Sequence, residues 1–189
     1  LIAGNPPWLK IEFEEKDIIS EKKPEVVIRS ISAPEVKKIR ESSLSEFKEI
    51  SEAYYDELLL VFSTSAFLGA IQNYPLQEGQ SQATNLYKGI LENSFNLSSK
   101  SGYIGLVHPE GPFEDPKGQV LRKELFQRLK FHFQFKNELT LFSEVHHETI
   151  FGCHIYQGKK EIPNFISIHN LFNPSTIDGC FVHDGKGVS

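Results

Sequence analysis

Four residues near the start of this chain, Asn5-Pro6-Pro7-Trp8, have the types and spacing that could do chemistry. An exocyclic amine on an aromatic ring, such as adenine N6, is a poor nucleophile because its lone pair is conjugated into the ring. To attack a methyl group it must be held with its protons directed at acceptors. The Asn5 side chain offers one carbonyl acceptor and the Pro6 main chain a second. Two successive prolines stiffen the loop so that both stay aimed. Trp8 is the right shape to stack on the flat face of a base. A base in a duplex reaches such a pocket only if it is flipped out of the stack. The same four residues also make an ordinary turn, in which Trp8 is simply a core anchor.

The elements that must position this loop are legible around it. Leu1-Ile2-Ala3-Gly4 reads as the end of a buried strand, which places Asn5 just past a strand's carboxyl end. Residues 9–53 are rich in Glu, Lys, Ser and Ile and are broken at Pro24 and Pro34. Within them, 34–50 reads as an amphipathic helix with Val36, Ile39, Phe47 and Ile50 near one face. Residues 54–72 are strongly apolar and predict a buried helix. A polar loop with Pro75 and Gly79 follows, and Thr84 opens a helix to about Leu97, closed by 98–102 with Gly102 as its stop. Residues 103–107 read as a buried strand, with His108-Pro109 turning out of it. Residues 119–129 have helical apolar spacing. Residues 131–135, 149–156 and 165–171 read as strands, with a polar turn at 157–160. This order predicts an α/β fold, half of a doubly wound sheet. Such sheets bind ligands at the carboxyl ends of their strands. Asn5-Pro6-Pro7-Trp8 and His108-Pro109 would then share one rim.

Composition sets bounds on this reading. The 189 residues are 39% hydrophobic and 24% charged, a soluble globular profile long enough for a real core. No apolar run could span a membrane and nothing reads as a signal peptide, so no membrane partner is expected. The formal net charge of −5 argues against a broadly basic nucleic-acid surface, though local patches can still contact phosphates. Cys153 and Cys180 lack zinc-ligand spacing and a disulfide pattern, which points to a reducing cytoplasm. No metal is expected. His146-His147-Glu148 and His154 lack helix-borne ligand spacing, and a surface histidine pair is the better reading. No Ser, Cys or Lys is in a nucleophile's context. The absence of any Met, and a start inside a strand, suggest a piece of a larger protein. The Gly-rich end, 183–189, looks like an interrupted loop.

Together the segments resemble DNA adenine-N6 methyltransferases, and more narrowly the large Eco57I-type restriction-modification methylases. The resemblance rests on Gly4-Asn5-Pro6-Pro7-Trp8 with the long charged insertion after it, and on Tyr74-Pro75-Leu76 leading into Asn85-Leu86-Tyr87. It continues with Gly102-Tyr103-Ile104-Gly105-Leu106-Val107-His108-Pro109, with Leu121-Arg122, and with Leu141-Phe142-Ser143-Glu144-Val145-His146-His147 before the strand from Thr149. It spans roughly residues 1–157. It implies the C-terminal half of a Rossmann-like class I S-adenosylmethionine-dependent methyltransferase domain. That half would occupy 1–172, with a helical insertion at about 9–72, and 173–189 would be a loop leading toward a downstream target-recognition region.

The implied activity is transfer of a methyl group from S-adenosylmethionine to adenine N6 in double-stranded DNA, within a restriction-modification system. Asn5, Pro6, Pro7 and Trp8 would be the catalytic residues, with Asn5 and Pro6 orienting the amine. Trp8, His108 and Phe142 would meet the substrate. Phe142 and Phe151 lie near where the family supplies a second aromatic, although core packing is the favoured reading for phenylalanines in a chain that has 15. The Gly-rich loop and the acidic residue that hold the cofactor in this family are absent from the chain. The remaining domains of a parent polypeptide would therefore be its partners, and this piece would be inactive alone. Two other readings stay open: an amino-methyltransferase acting on protein or RNA, and a non-catalytic domain that keeps the fold for DNA binding or assembly.

Overall fold

A computed structural model describes residues 1–29, 31–79 and 85–186. The chain divides into two units. One consists of residues 1–9, 74–81 and 85–189, and the other of residues 10–73 and 82–84.

The first unit is α/β and is built on a five-stranded mixed sheet. Its strands are β1 (Ile2–Gly4), β2 (Ile104–Pro109), β3 (Leu129–Lys136), β4 (Ile150–Tyr156) and β5 (Ile166–Leu171), in the order β1-β2-β4-β3-β5. β1 runs parallel to β2, and β5 runs parallel to β3. β4 runs antiparallel to both of its neighbours, which leaves the other four strands parallel to one another. The expected doubly wound half is therefore a mixed sheet: β4 pairs directly with β3 and runs against it, with no α-helix in the connection between them.

Side-chain alternation along the strands separates two cores. Ile104, Leu106, Leu129 and Tyr156 face one way and pack with Leu91, Phe95, Leu121 and Leu125. Those last four come from the two long helices of this unit, Leu86–Leu97 and Gln119–Arg128. The opposite face gathers Phe133, Phe135, Phe151 and Leu171, with Val107 and Cys153 part-buried against them. A register shift between Leu129 and Phe131 lets Leu129 join the first core while Phe131 lines the second.

The second unit is helical: α1 (Glu15–Ser20), α2 (Glu25–Ile28), α3 (Ala33–Glu46) and α4 (Lys48–Leu68). Its small core contains Ile19, Val26, Val36, Ile50 and Tyr54. α3 begins where expected. Pro34 occupies the first turn, and the Glu35 carboxylate accepts bonds from the Ser32 N–H at 3.0 Å and Oγ–H at 2.7 Å. The predicted helix over 34–50 is in fact two. Phe47 is extended (φ −120°, ψ 108°), which ends α3 and starts α4. α4 is also not the buried helix expected at 54–72. Leu59 and Phe62 are 67% and 66% exposed, because this part of the sequence is apolar all round and the described neighbours cover one side only.

The first unit also holds α5 (Leu86–Leu97), α6 (Gly111–Glu114) and α7 (Gln119–Arg128). Thr84, expected to open α5, lies outside the described residues. Residues 173–189, expected as a loop, instead contain a last helix, α8 (Ser175–Val182). Asn173 Oδ1 accepts bonds from the Ser175 N–H at 3.0 Å and Oγ–H at 2.9 Å, and Ile177 packs onto the phenylalanine face of the sheet. An apolar anchor of this kind is what a free loop lacks. Among the described residues no helix is long and apolar enough to cross a membrane.

Candidate functional site

The strand ends converge as parallel pairing requires. β1 and β2 are adjacent and parallel, so Asn5, which follows β1, opens beside the carboxyl end of β2. Pro6 is buried, while Asn5 and Pro7 are exposed. The Asn5 side chain has no hydrogen-bond partner among the described residues. Trp8 is half-buried, and its indole N–H donates to the Val107 carbonyl at 3.3 Å. That bond fixes the ring against β2.

The loop between β3 and β4 forms the facing wall. Asn5, Pro6, Pro7 and Trp8 on one side and residues 141–145 on the other enclose an open cleft of about 350 Å³. Its floor is aromatic. The Trp8 ring lies 5.4 Å from Phe142, edge to face, and 5.6 Å from Phe151, tilted. Phe142 and Phe151 meet at 5.0 Å, edge to face. Three aromatic rings in such contact are worth about 0.5–1.5 kcal/mol per pair beyond area burial, so the floor is firm. An apolar extension of about 360 Å³ continues from Leu141 and Phe142 to Val107, Phe135 and Cys153. Burial raises the Cys153 thiol's pKa there.

Asn137 builds the facing wall, and nothing in the sequence marked it. It is fully buried. Its side-chain amide donates to the carbonyls of Phe142 at 2.9 Å and Val145 at 2.8 Å, and its Oδ1 accepts the Phe142 N–H at 3.0 Å. One side chain thus replaces a strand partner for the loop. Thr140, where the loop departs, is left-handed at φ 50°, unusual for a β-branched residue. Its N–H donates to the Asn137 carbonyl at 2.8 Å, which holds that turn closed. The signal available in advance was weak: an Asn at a strand end before a loop, a common pattern.

His108 departs from expectation. It does not turn out of the strand; β2 continues through His108 and Pro109, paired with Gly152 and Phe151 of β4. Alternation sends its ring to the helix-covered face, away from Trp8 and Phe142, where it is fully buried. Its Nδ1 lies 2.8 Å from the Pro109 carbonyl and its Nε2 2.9 Å from the Tyr156 hydroxyl. Burial, then the neighbouring His154, pushes its pKa well below the ordinary value. It is a neutral core histidine and does not line the cleft.

The same face holds a polar cluster that sequence reading missed. Glu110, at the end of β2, His132 of β3 and His154 of β4 converge, with ligand atoms all within 4.8 Å of one another. The spacing of 22 residues between successive members carries no local motif, so only the pairing of β3 with β4 (His132 opposite His154) brings them together. Burial alone would raise the Glu110 pKa, but hydrogen bonds from His132 and His154 outweigh it and lower it to about 2. Of the histidines weighed from sequence, His154 belongs to this cluster, while His146 and His147 are exposed and lie against each other, tilted, at 4.3 Å.

Among the described residues no Gly-x-Gly stretch opens a helix. Neither a family model nor a curated protein matches this sequence.

Proposed function

We propose that this chain is the acceptor-binding part of a DNA adenine-N6 methyltransferase, a site that takes a flipped adenine and orients its amine. The observation that carries this reading is the cleft. It joins the unpaired Asn5 side chain, the buried Pro6 and the Trp8 and Phe142 rings, with Phe151 packed behind them, at the carboxyl rim of two adjacent parallel strands. A planar base lying along that aromatic floor presents its exocyclic amine to the carbonyls of Asn5 and Pro6. Directing both amine protons at fixed acceptors turns the nitrogen lone pair out of conjugation, toward an incoming methyl group. No strong general base is assigned: as the N–CH3 bond forms and the S–CH3 bond breaks, the surplus N6 proton leaves to solvent during or after transfer, and the chain's contribution is positioning and electrostatics. S-adenosylmethionine is the methyl donor that the reading implies, held by residues outside this sequence.

The test is transfer of labelled methyl groups from S-adenosylmethionine to duplex DNA, with the chain carried behind a Gly-rich cofactor-binding half and with Asn5→Ala alongside. Label on adenine N6 that the substitution abolishes is the expected result. Label on protein or RNA instead replaces the substrate class. DNA binding without any transfer makes the fold a non-catalytic scaffold and overturns the proposal.

A further inference from the structure

On the face of the sheet away from the cleft, Glu110, just past β2, meets His132 of β3 and His154 of β4 in a way the base-binding reading does not use. Glu110 is 4%, His132 5% and His154 0% exposed. His132 Nε2 lies 3.1 and 3.0 Å from the two Glu110 oxygens, and His154 Nε2 lies 3.2 Å from Oε1. We propose that Glu110, His132 and His154 form a structural site for a divalent transition-metal cation of the zinc class.

Charge comes first. Glu110 is a buried carboxylate whose ion-pair partners among the described residues are these two imidazoles. A divalent cation held between the three would balance the charge of the buried carboxylate.

Geometry agrees. A tetrahedral ion with bonds of about 2.0–2.1 Å has ligand–ligand edges of about 3.3–3.4 Å. The carboxylate–imidazole separations of 3.0–3.2 Å are close to those edges. Glu110, His132 and His154 supply three ligand atoms, and one solvent molecule would complete a four-coordinate set. Two nitrogen donors select zinc-class metals over magnesium or calcium, which prefer oxygen. Ser167 Oγ lies 3.3 Å from His132 Nδ1 and orients that ring from behind, as outer partners of metal-bound histidines do. Phe113 stacks on both imidazoles, at 4.9 Å from His132 and 5.1 Å from His154, and covers the cluster.

Gly152 guards the space. A Cβ there would lie 2.4 Å from His154 Nε2 and 2.5 Å from Glu110 Oε1. The ion would tie the end of β2 to β3 and β4 and stiffen the sheet that carries the cleft.

The test uses the 189-residue chain, stripped with a chelator, then equilibrated with Zn²⁺ or Co²⁺ and desalted. Expected are one retained ion per chain, a higher melting temperature with Zn²⁺, and the visible absorption of four-coordinate Co²⁺. X-ray absorption should show two imidazoles and carboxylate oxygen around the ion. Glu110→Gln should weaken Zn²⁺ binding by more than about a hundredfold, beyond the loss typical of an outer partner. The His146→Ala, His147→Ala pair should leave it unchanged. If no ion is retained, or the ion survives Glu110→Gln, or the first shell lacks histidine, the proposal fails and the cluster is a hydrogen-bonded triad. If Glu110→Gln does not fold, the first shell of the unsubstituted protein decides.

Discussion

Gly152→Ala isolates the tight packing of the buried Glu110 cluster. Gly152 does not have a left-handed backbone, so alanine fits its main chain and the whole effect is steric. The new methyl would sit 2.3 Å from His154 Cε1, 2.4 Å from its Nε2 and 2.5 Å from Glu110 Oε1. Real Cβ atoms essentially never come within 3.0 Å, so the cluster must open. Overpacking of this kind costs about 1–3 kcal/mol. Opening also breaks or stretches a hydrogen bond to a buried charge, worth about 1.5–3 kcal/mol. The expected destabilisation is therefore about 3–5 kcal/mol. Gly105→Ala on the adjacent strand is the internal control. Its Cβ meets only the Ile155 Cδ1 methyl, at 3.3 Å, so a small rotation relieves it at a cost under about 1 kcal/mol. Urea unfolding followed by the fluorescence of Trp8, the single tryptophan, reports on the sheet unit that contains both glycines. If Gly152→Ala costs less than about 1 kcal/mol, or no more than Gly105→Ala, the cluster is looser than these distances state and the reasoning is wrong.

Other perturbations reach the cleft and the core. Asn137→Ala removes three bonds to the 142–145 backbone and should cost about 2–4 kcal/mol, while amide exchange in residues 140–146 rises before global unfolding; unchanged exchange there would refute its role as the wall's support. In chelator, stability should fall with acid. His108 and His154 have depressed pKa values in the fold, so below about 6.5 the unfolded chain takes up protons that the fold refuses. The slope approaches about 1.4 kcal/mol per pH unit for each group. Glu110 adds to the loss only between its ordinary 4.5 and its folded value of about 2. Urea midpoints from pH 7.5 to pH 5 check this, and a flat profile would contradict the neutral core histidines. Cys153, half-buried with its thiol pKa raised, should react with a thiol reagent far more slowly than the exposed Cys180, as peptide mapping of partial labelling would reveal.

Local rules were enough for several features. Strands β3, β4 and β5 were readable from alternation and apolar runs, and α7 from 3.6-residue spacing, because both patterns reflect which side chains must leave water. The start of α3 near Pro34 was readable because proline suits the first turn of a helix. The position of Asn5-Pro6-Pro7-Trp8 past a strand end was readable for the same local reason. Other features needed the assembled sheet. That β4 would insert antiparallel between β2 and β3 is a pairing choice, and nothing within one strand's own residues encodes it. The side to which His108 points depended on how far β2 extends, and pairing with β4 carried it two residues beyond the apolar run. Asn137 became the support of the cleft wall only when the loop folded back onto it. Glu110, His132 and His154 are each unremarkable in sequence, and they form one site because two register matches bring distant residues within reach. Chemistry held within a few consecutive residues was open to reading from the chain itself, whereas chemistry shared across strands was decided by tertiary structure, since strand pairing alone sets which distant side chains meet.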